Sequence, residues 1–206
     1  PSSDTDVAWA LRNWTAWNWL SGGQFVEQIV HTIDGMVWSM NEQLPLAAFG
    51  SGGRAQRRDD GDVWDHYDVY FEYDHNVTAH ISCRQWVGCH GEIVDRTICE
   101  KGMLVTPYRP YIQANNRWRF RGERGNMYAD THVAFYRFLR SGTWTQTLES
   151  AANKTLAAIM GREAAHTGQR ITWEQIKKST ARLMPEDLTM DTPLPPARIP
   201  RPGRTA

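Results

Sequence analysis

The stretch Ser21-Gly22-Gly23-Gln24-Phe25-Val26-Glu27-Gln28-Ile29-Val30-His31-Thr32-Ile33-Asp34 decides how the rest of the chain is interpreted. A turn-prone Ser-Gly-Gly leads into apolar residues at three- and four-residue steps, which predicts an amphipathic helix over residues 23–41. Glu27, His31 and Asp34 recur at the same steps on another stripe, so Glu27 can hold the His31 imidazole one turn away. Such a pair is typical of a general base, and equally of an ordinary helix surface.

Composition excludes several classes of protein. The 206 residues carry 23 basic and 23 acidic side chains, and this balance gives no indication of a nucleic acid or an anionic membrane as partner. Cys83, Cys89 and Cys99 are too few and too scattered for a disulfide framework. No apolar run approaches the roughly 20 residues of a membrane span. We therefore expect a soluble protein, with the cytoplasm favoured and no signal peptide in this sequence.

Tryptophan is unusually frequent, at 10 of 206 residues. Trp9, Trp14, Trp17 and Trp19 fall within one short segment. Large aromatic rings stack on the apolar faces of sugars, but they also fill hydrophobic cores. Both interpretations stay open for this cluster.

The order of elements predicts an α+β protein. Residues 66–73 and 77–86 alternate in polarity and are joined by a turn-forming Asp74-His75-Asn76, which predicts a hairpin. Further strands are predicted at 93–99, 103–106, 111–114 and 117–120, and helices at 128–139, 148–167 and after Thr172. We expect one open, mostly antiparallel sheet with helices packed on one face. The predicted domain covers residues 1–184, and a Pro/Arg-rich extended tail covers 185–206.

The other face of that sheet is predicted to be polar. It would carry His66, Asp68, Tyr70, Glu72, His80, Ser82 and Arg84. Such a face can contact solvent or serve as an association surface. The sequence has no Gly-x-Gly-x-x-Gly after a strand and no Walker-type loop, since Ser51-Gly52-Gly53-Arg54 is only a weak echo of one. It also lacks a Gly-x-Ser-x-Gly elbow and a His-Glu-x-x-His helix.

Several motifs follow one another along nearly the whole chain. They are Arg12-Asn13-Trp14, Trp19-Leu20-Ser21-Gly22, Val26-Glu27-Gln28 with His31 and Asp34, Trp64-Asp65-His66, Cys83-Arg84-Gln85, Lys101-Gly102, Arg140-Ser141-Gly142, Ala157-Ala158-Ile159-Met160-Gly161-Arg162 and Ile171-Thr172-Trp173-Glu174. In this order the sequence resembles the C-terminal domain of the Gfo/Idh/MocA oxidoreductases. Glucose–fructose oxidoreductase and inositol dehydrogenase are examples of this family.

The resemblance implies a fold, a chemistry and a cofactor. Family members pair this domain with an N-terminal Rossmann domain and move a hydride between NAD(P) and a sugar or cyclitol carbon. Their open sheet face builds dimers or tetramers, so a homo-oligomer is implied. The family's acid/base histidine falls on His31, and its neighbouring carboxylate falls on Glu27, where many members have aspartate. This chain lacks the Rossmann domain and its lysine, so alone it is not expected to bind NAD.

Three functions remain as hypotheses. The first is the substrate-binding and oligomerisation domain of a sugar or cyclitol oxidoreductase, working with a separate Rossmann-domain partner. In it, His31 and Glu27 are catalytic and the substrate is contacted by Trp14, Trp17, Trp19, Asp34 and Arg84. The second is an NAD-independent carbohydrate hydrolase or lyase, in which Glu27, His31 and a third ligand such as His66 hold a divalent metal. His80, His90 and His132 are other candidates for that third ligand. The third is a non-catalytic carbohydrate-binding or assembly module.

Overall fold

The computed structural model describes residues 5–106, 110–123, 125–143 and 147–203. They group into two compact units, the first within Pro1–Cys89 and Ala152–Ala206, the second within His90–Ala151. The prediction of one domain over residues 1–184 with a tail over 185–206 stays a prediction. The last three residues of that tail lie outside the described ranges.

Helices and strands occur in the order expected from the sequence. The helices are α1 (Asp6–Arg12), α2 (Asn18–Ser21), α3 (Gln24–Glu27), α4 (Val30–Ser39), α5 (Met127–Ser141), α6 (Leu148–Thr167) and α7 (Trp173–Lys177). The strands are β1 (Ala47–Gly53), β2 (His66–Glu72), β3 (Thr78–Arg84), β4 (Asp95–Cys99), β5 (Gly102–Thr106), β6 (Tyr111–Ala114), β7 (Trp118–Arg119) and β8 (Ile171–Thr172). In the described residues, no helix combines the length and apolarity needed to cross a lipid bilayer.

The prediction of one continuous helix over residues 23–41 is wrong. The helix is interrupted at Gln28 and Ile29, between α3 and α4. The amide of Ile29 donates to the Gln24 carbonyl over 3.4 Å, five residues back rather than four, so the turn is wider than in an α-helix. The apolar stripe continues across the interruption, since Phe25, Ile33 and Val37 are all buried.

The sheet of the first unit has the order β3-β2-β1-β8 and is antiparallel throughout. The predicted hairpin is confirmed: β2 and β3 pair around Asp74–Asn76, where His75 and Asn76 adopt φ angles of 59° and 58°. The side chains of β2 alternate as expected. Those of Tyr67, Val69 and Phe71 are fully buried, so one face of this sheet is committed to the core.

Helices cover that buried face. Phe25 of α3 lies 5.3 Å from the Tyr67 ring and 6.4 Å from the Phe71 ring, measured between centroids. Gly161 of α6 allows the close approach, because a Cβ there would lie 2.6 Å from the Phe25 ring. Ala157, Ala158 and Met160 complete the same cluster. The expected fold class, α+β with antiparallel strands and helices on one sheet face, is confirmed.

The second unit contains a sheet of its own, with the order β4-β5-β6-β7, followed by α5. The expectation of one sheet is therefore corrected, because the strands form two four-stranded sheets. Helix α5 starts at Asn126, whose side chain caps the amides of Tyr128 and Ala129. It ends at Gly142 in the left-handed region, with φ at 66°.

The C-terminal segment lies on the first unit. Helix α7 starts with the capping box formed by Thr172 and Gln175, which confirms the predicted capped start. Farther on, the Trp64 indole donates to the Pro200 carbonyl over 3.2 Å, and the Gly203 amide donates to the Thr167 carbonyl over 3.1 Å. These two hydrogen bonds attach the end of the C-terminal segment to Trp64 and Thr167, and turns interrupt the segment at residues 186–187 and 190–191.

Candidate functional site

The Ser-Gly-Gly turn is held from two sides. Gly22 and Gly23 have φ angles of 76° and 80°, which favour glycine. The Ser21 hydroxyl accepts from the Gly23 amide over 2.9 Å, and Arg162 donates to the Gly22 carbonyl over 3.0 Å. A Cβ on Gly23 would lie 2.6 Å from the Asn18 side-chain oxygen. The turn that starts α3 is therefore fixed by buried polar groups.

A tyrosine–histidine pair, in which Tyr67 is buried and His166 half-buried, lies next to this turn. The Tyr67 hydroxyl and His166 Nε2 are 2.9 Å apart, and the Trp64 ring contacts the imidazole edge-on at 4.6 Å. Burial, assisted by the positive charge of Arg162, lowers the pKa of His166 to about 3. Burial also raises the pKa of the Tyr67 hydroxyl. Both groups are thus neutral at physiological pH, and a single hydrogen bond joins the tyrosine hydroxyl to the imidazole.

An open cavity of about 560 Å³ lies beside the start of α3. Its lining combines one tryptophan, several amides and a carboxylate: Trp14, Thr15, Gln24, Glu27, Gln28, Gln56, Arg57 and Gln85. Asp59 and Asp65 reach it as well. Of the residues singled out from the sequence, the cavity brings together Trp14 and Glu27.

The wall opposite α3 is built around Asp65, which is 1% exposed. Its carboxylate accepts from the amides of Ala55, Gln56 and Arg57 at 2.7–3.0 Å, and from the Trp86 indole at 3.1 Å. Burial raises the pKa of Asp65. The hydrogen bonds from His66, from these amides and from Trp86 outweigh that effect and hold the pKa well below its usual range. An ionised Asp65 thus organises the loop that follows β1.

Two arginines stiffen the same loop. Arg57 donates to Asp59 and, over 3.2 Å, to the carbonyl of Thr15, which joins the loop to the N-terminal segment. Arg54 contacts Asp59 at 3.0 Å and also donates to the Gly61 carbonyl. These contacts explain how a charged, glycine-containing loop forms a defined cavity wall.

The predicted catalytic pair is placed differently from the helical expectation. Glu27 is half-buried, lines the cavity and accepts from the side-chain amide of Gln28. His31 is exposed on α4 and is not among the lining residues. In the described part of the chain, no hydrogen bond or ion pair joins Glu27 to His31. The catalytic assignment of the two residues stays a prediction.

The other predicted substrate contacts lie elsewhere. Asp34 forms an ion pair with Lys154 at 2.6 Å. The Arg84 guanidinium stands 5.5 Å from the centre of the Trp86 ring. Trp17 and Trp19 line a second cavity, of about 280 Å³, formed with Leu183, Leu194 and the prolines of the C-terminal segment. The structure thus does not bring these four residues to the cavity at Glu27.

A metal site of the predicted kind finds no support in the geometry. His66 Nδ1 bonds to Asp65 at 2.8 Å, and His80 bonds to Asp68 at 2.9 Å. Among all residues that have described positions, no group of three His, Cys, Asp or Glu side chains is arranged to hold an ion. The alternative ligand set of Glu27, His31 and His66 is therefore not gathered.

Sequence reasoning missed the cavity residues Gln24, Gln56, Arg57, Asp65 and Gln85. Gln56 and Arg57 lie in the loop after β1, Asp65 directly precedes β2, and Gln85 directly follows β3. No periodic pattern in the sequence marks these four residues. The weak signal was Asp65, a carboxylate directly before an alternating strand, where an aspartate often accepts from loop amides.

Solved structures with the same fold are oxidoreductases. No protein-family model matches the chain, and no curated protein matches it either. An oxidoreductase of Thermotoga maritima aligns with 78% of this chain and 50% of its own, at 20% identity and a TM-score of 0.64. Aldose–aldose oxidoreductase of Caulobacter crescentus, solved with glycerol, aligns with 77% and 50%, at 12% identity and a TM-score of 0.63.

A third similar structure holds both a cofactor and a sugar nucleotide. It is the WlbA dehydrogenase of Bordetella pertussis in complex with NADH and UDP-GlcNAcA, which aligns with 78% of this chain and 48% of its own, at 18% identity and a TM-score of 0.58. The chain thus spans about half the length of these proteins. The resemblance noted in the sequence is confirmed at the level of the fold: this chain has the fold of about half of a Gfo/Idh/MocA-type oxidoreductase.

Proposed function

We propose that this chain is the substrate-binding and oligomerisation domain of a sugar or cyclitol oxidoreductase of the Gfo/Idh/MocA type. The observation that carries the proposal is the cavity at Glu27, which combines an exposed tryptophan with amides and a carboxylate. Trp14 offers an apolar ring, 42% exposed, to stack on a sugar. Gln28, Gln56 and Gln85 offer neutral donors and acceptors, which suit hydroxyl groups.

The nicotinamide cofactor belongs to another domain in this proposal. Ser51-Gly52-Gly53, the weak echo of a phosphate-binding loop, lies in β1 and is followed by a loop rather than a helix. The described residues of this chain therefore do not fit a dinucleotide, whose pyrophosphate needs a glycine-rich turn that starts a helix. A Rossmann domain on a partner or on a longer form of the protein supplies the hydride acceptor.

The chain's own contribution to the reaction is proton transfer and positioning. His31 takes the proton from a sugar hydroxyl while the carbon that bears it becomes a carbonyl, and Glu27 orients the acceptor histidine and the substrate. Glu27 lines the cavity and His31 lies in the first turn of the next helix, only four residues on, which supports a shared role. In this geometry Glu27 and His31 approach each other only when substrate or the second domain draws the imidazole toward the cavity.

Sugar binding tests the cavity directly. Titrate the chain with D-glucose and with myo-inositol, and follow intrinsic tryptophan fluorescence and ligand-detected NMR. Trp14→Ala should weaken binding about tenfold or more, because the stacking ring is lost. Trp38→Ala is the matched control, since Trp38 is 63% exposed and lies outside the cavity lining. Failure of both ligands to bind, or equal losses in the two variants, would refute the proposal.

A row of aromatic side chains on the exposed sheet face supports the oligomer part of the proposal. Phe49 and Tyr70 stack at 5.1 Å on that face, and Tyr70 stacks on His80 at 4.4 Å. Phe49 and Tyr70 are 43% and 37% exposed, so an aromatic row is open to a second copy. Sedimentation velocity should show an oligomer that Tyr70→Arg converts to monomer. A monomer in the unmodified protein would contradict this assignment.

A further inference from the structure

The cavity at Glu27 has an uneven charge. Its lining includes three carboxylates, those of Glu27, Asp59 and Asp65, and one guanidinium, that of Arg57. Arg57 donates to Asp59 and to the Thr15 carbonyl, so its positive charge is already engaged. Asp59 is further neutralised by Arg54 at 3.0 Å. The negative charges of Glu27 and Asp65 therefore remain available to interact with a ligand in the cavity.

Glu27 carries the more accessible of these charges. It is half-buried, and its partner is the neutral side-chain amide of Gln28. Within the described residues, Glu27 forms no ion pair with a lysine, an arginine or a histidine. Asp65 adds a second ionised carboxylate behind the wall, bound only by neutral amides, an indole and an imidazole.

Gln24 adds an acceptor that has nothing to accept from. It lines the cavity and is 8% exposed, and its Oε1 has no hydrogen-bond partner among the residues that the structure describes. A buried amide oxygen without a donor costs free energy. An ammonium group presents three N–H donors and a positive charge, and so suits a cavity lined by the Glu27 carboxylate and the Gln24 side-chain amide.

We propose, on the basis of the function proposed above, that the cavity at Glu27 selects a sugar or cyclitol bearing an amino group over neutral polyols, and disfavours acidic ones. Trp14 accommodates the ring of all three classes equally, so selection comes from charge. An ammonium group makes charge-assisted hydrogen bonds to Glu27, which are about twice as strong as neutral ones. A carboxylate or phosphate meets like charge and an arginine that is already paired.

The test compares three ligands that share one ring: D-glucosamine, D-glucose and D-glucuronate. By calorimetry or ligand-detected NMR at low salt, glucosamine should bind about tenfold more tightly than glucose, and glucuronate more weakly than glucose. Raising the ionic strength should weaken glucosamine binding and leave glucose binding unchanged. Glu27→Gln should abolish the preference for glucosamine over glucose.

The matched control is Glu174→Gln, which removes an exposed carboxylate of α7 that lies outside the cavity lining. It should keep the order of the three ligands. Glucose binding with no preference for glucosamine, or a preference that Glu27→Gln retains, would overturn the charge selection and leave the proposed sugar site standing. If none of the three ligands binds, both the selection and the sugar site are wrong.

Discussion

Because His166 is neutral in the folded protein, we expect the free energy of unfolding to fall at acid pH. Its pKa is about 3 in the folded protein and has an ordinary value of 6.5 in an unfolded chain, because folding buries the imidazole beside Arg162. Between these values the unfolded state binds a proton that the folded state does not. The free energy of unfolding therefore rises with pH across this window, and stability is lost as the pH falls from 6.5.

The magnitude follows from the width of the window. Each pH unit contributes about 1.4 kcal/mol, so lowering the pH from 6.5 to 4.5 should remove about 2 to 3 kcal/mol of stability through His166 alone. The range stops at pH 4.5 because Asp65, whose pKa is lowered in the fold, adds a loss of the same sign below the ordinary pKa of an aspartate. The effects of His166 and Asp65 on the free energy of unfolding therefore fall in different pH ranges.

Urea unfolding followed by tryptophan fluorescence, repeated at half-unit steps from pH 7 to 4.5, measures this loss. His166→Gln retains a hydrogen-bonding group for the Tyr67 hydroxyl but cannot titrate, so its stability should fall less steeply with decreasing pH than that of the unmodified protein. His132→Gln is the control, because His132 is exposed on α5 and should leave the slope as it is. An unchanged slope in His166→Gln would refute the assignment of a buried neutral imidazole.

Three further predictions concern the turn, the loop and the C-terminal segment. Gly23→Ala should lower the free energy of unfolding by about 2 kcal/mol or more in urea titrations, because φ is 80° and a Cβ would clash. Gly142→Ala, at φ 66° with open space around it, should cost about 1 kcal/mol. Asp65→Asn should raise hydrogen exchange at the amides of residues 55–57, whereas exchange in β3 should stay as it is. Trp64→Phe removes the indole donor to Pro200 and should make the C-terminal segment more sensitive to limited proteolysis.

Sequence patterns were sufficient to predict the elements that are stabilised by contacts between residues close in sequence. The β2–β3 hairpin could be predicted because alternation and a turn signal lie within one short stretch, and the pairing of Val69 with Ile81 follows from them. The start of helix α7 could be predicted because its capping box joins Thr172 and Gln175, which are only three residues apart. The apolar stripe from Phe25 to Val37 likewise identified the buried helix face.

The interruption at Gln28 and Ile29 could not be predicted from the same apolar stripe. Hydrophobic spacing reports which face is buried, and a single widened turn leaves that spacing nearly intact. Glu27 lines the cavity, whereas no contact between Glu27 and His31 is found among the described residues, and the catalytic role of both stays a prediction. The site wall depends on contacts between distant segments, such as that of Arg57 with Thr15, and no local signal encodes them.

The tryptophan cluster shows most plainly what could not be predicted from the sequence. Trp14, Trp17 and Trp19 are close in sequence, but a turn of 3-10 helix over Trp14–Ala16 and helix α2 direct them to two different cavities. The environment of Trp17 and Trp19 is set by prolines near residue 195, and no local pattern in the sequence predicts that contact.

The position of β8 has a consequence for synthesis on the ribosome. This strand completes the sheet by pairing Ile171 with Ala48 and Thr172 with Ala47, so one edge of β1 remains open until the nascent chain has reached Ile171. At ordinary elongation rates that interval lasts roughly 6 to 25 s. During it, the unpaired edge of β1 can recruit another nascent strand, and chaperone capture in this interval would protect the chain from co-aggregation.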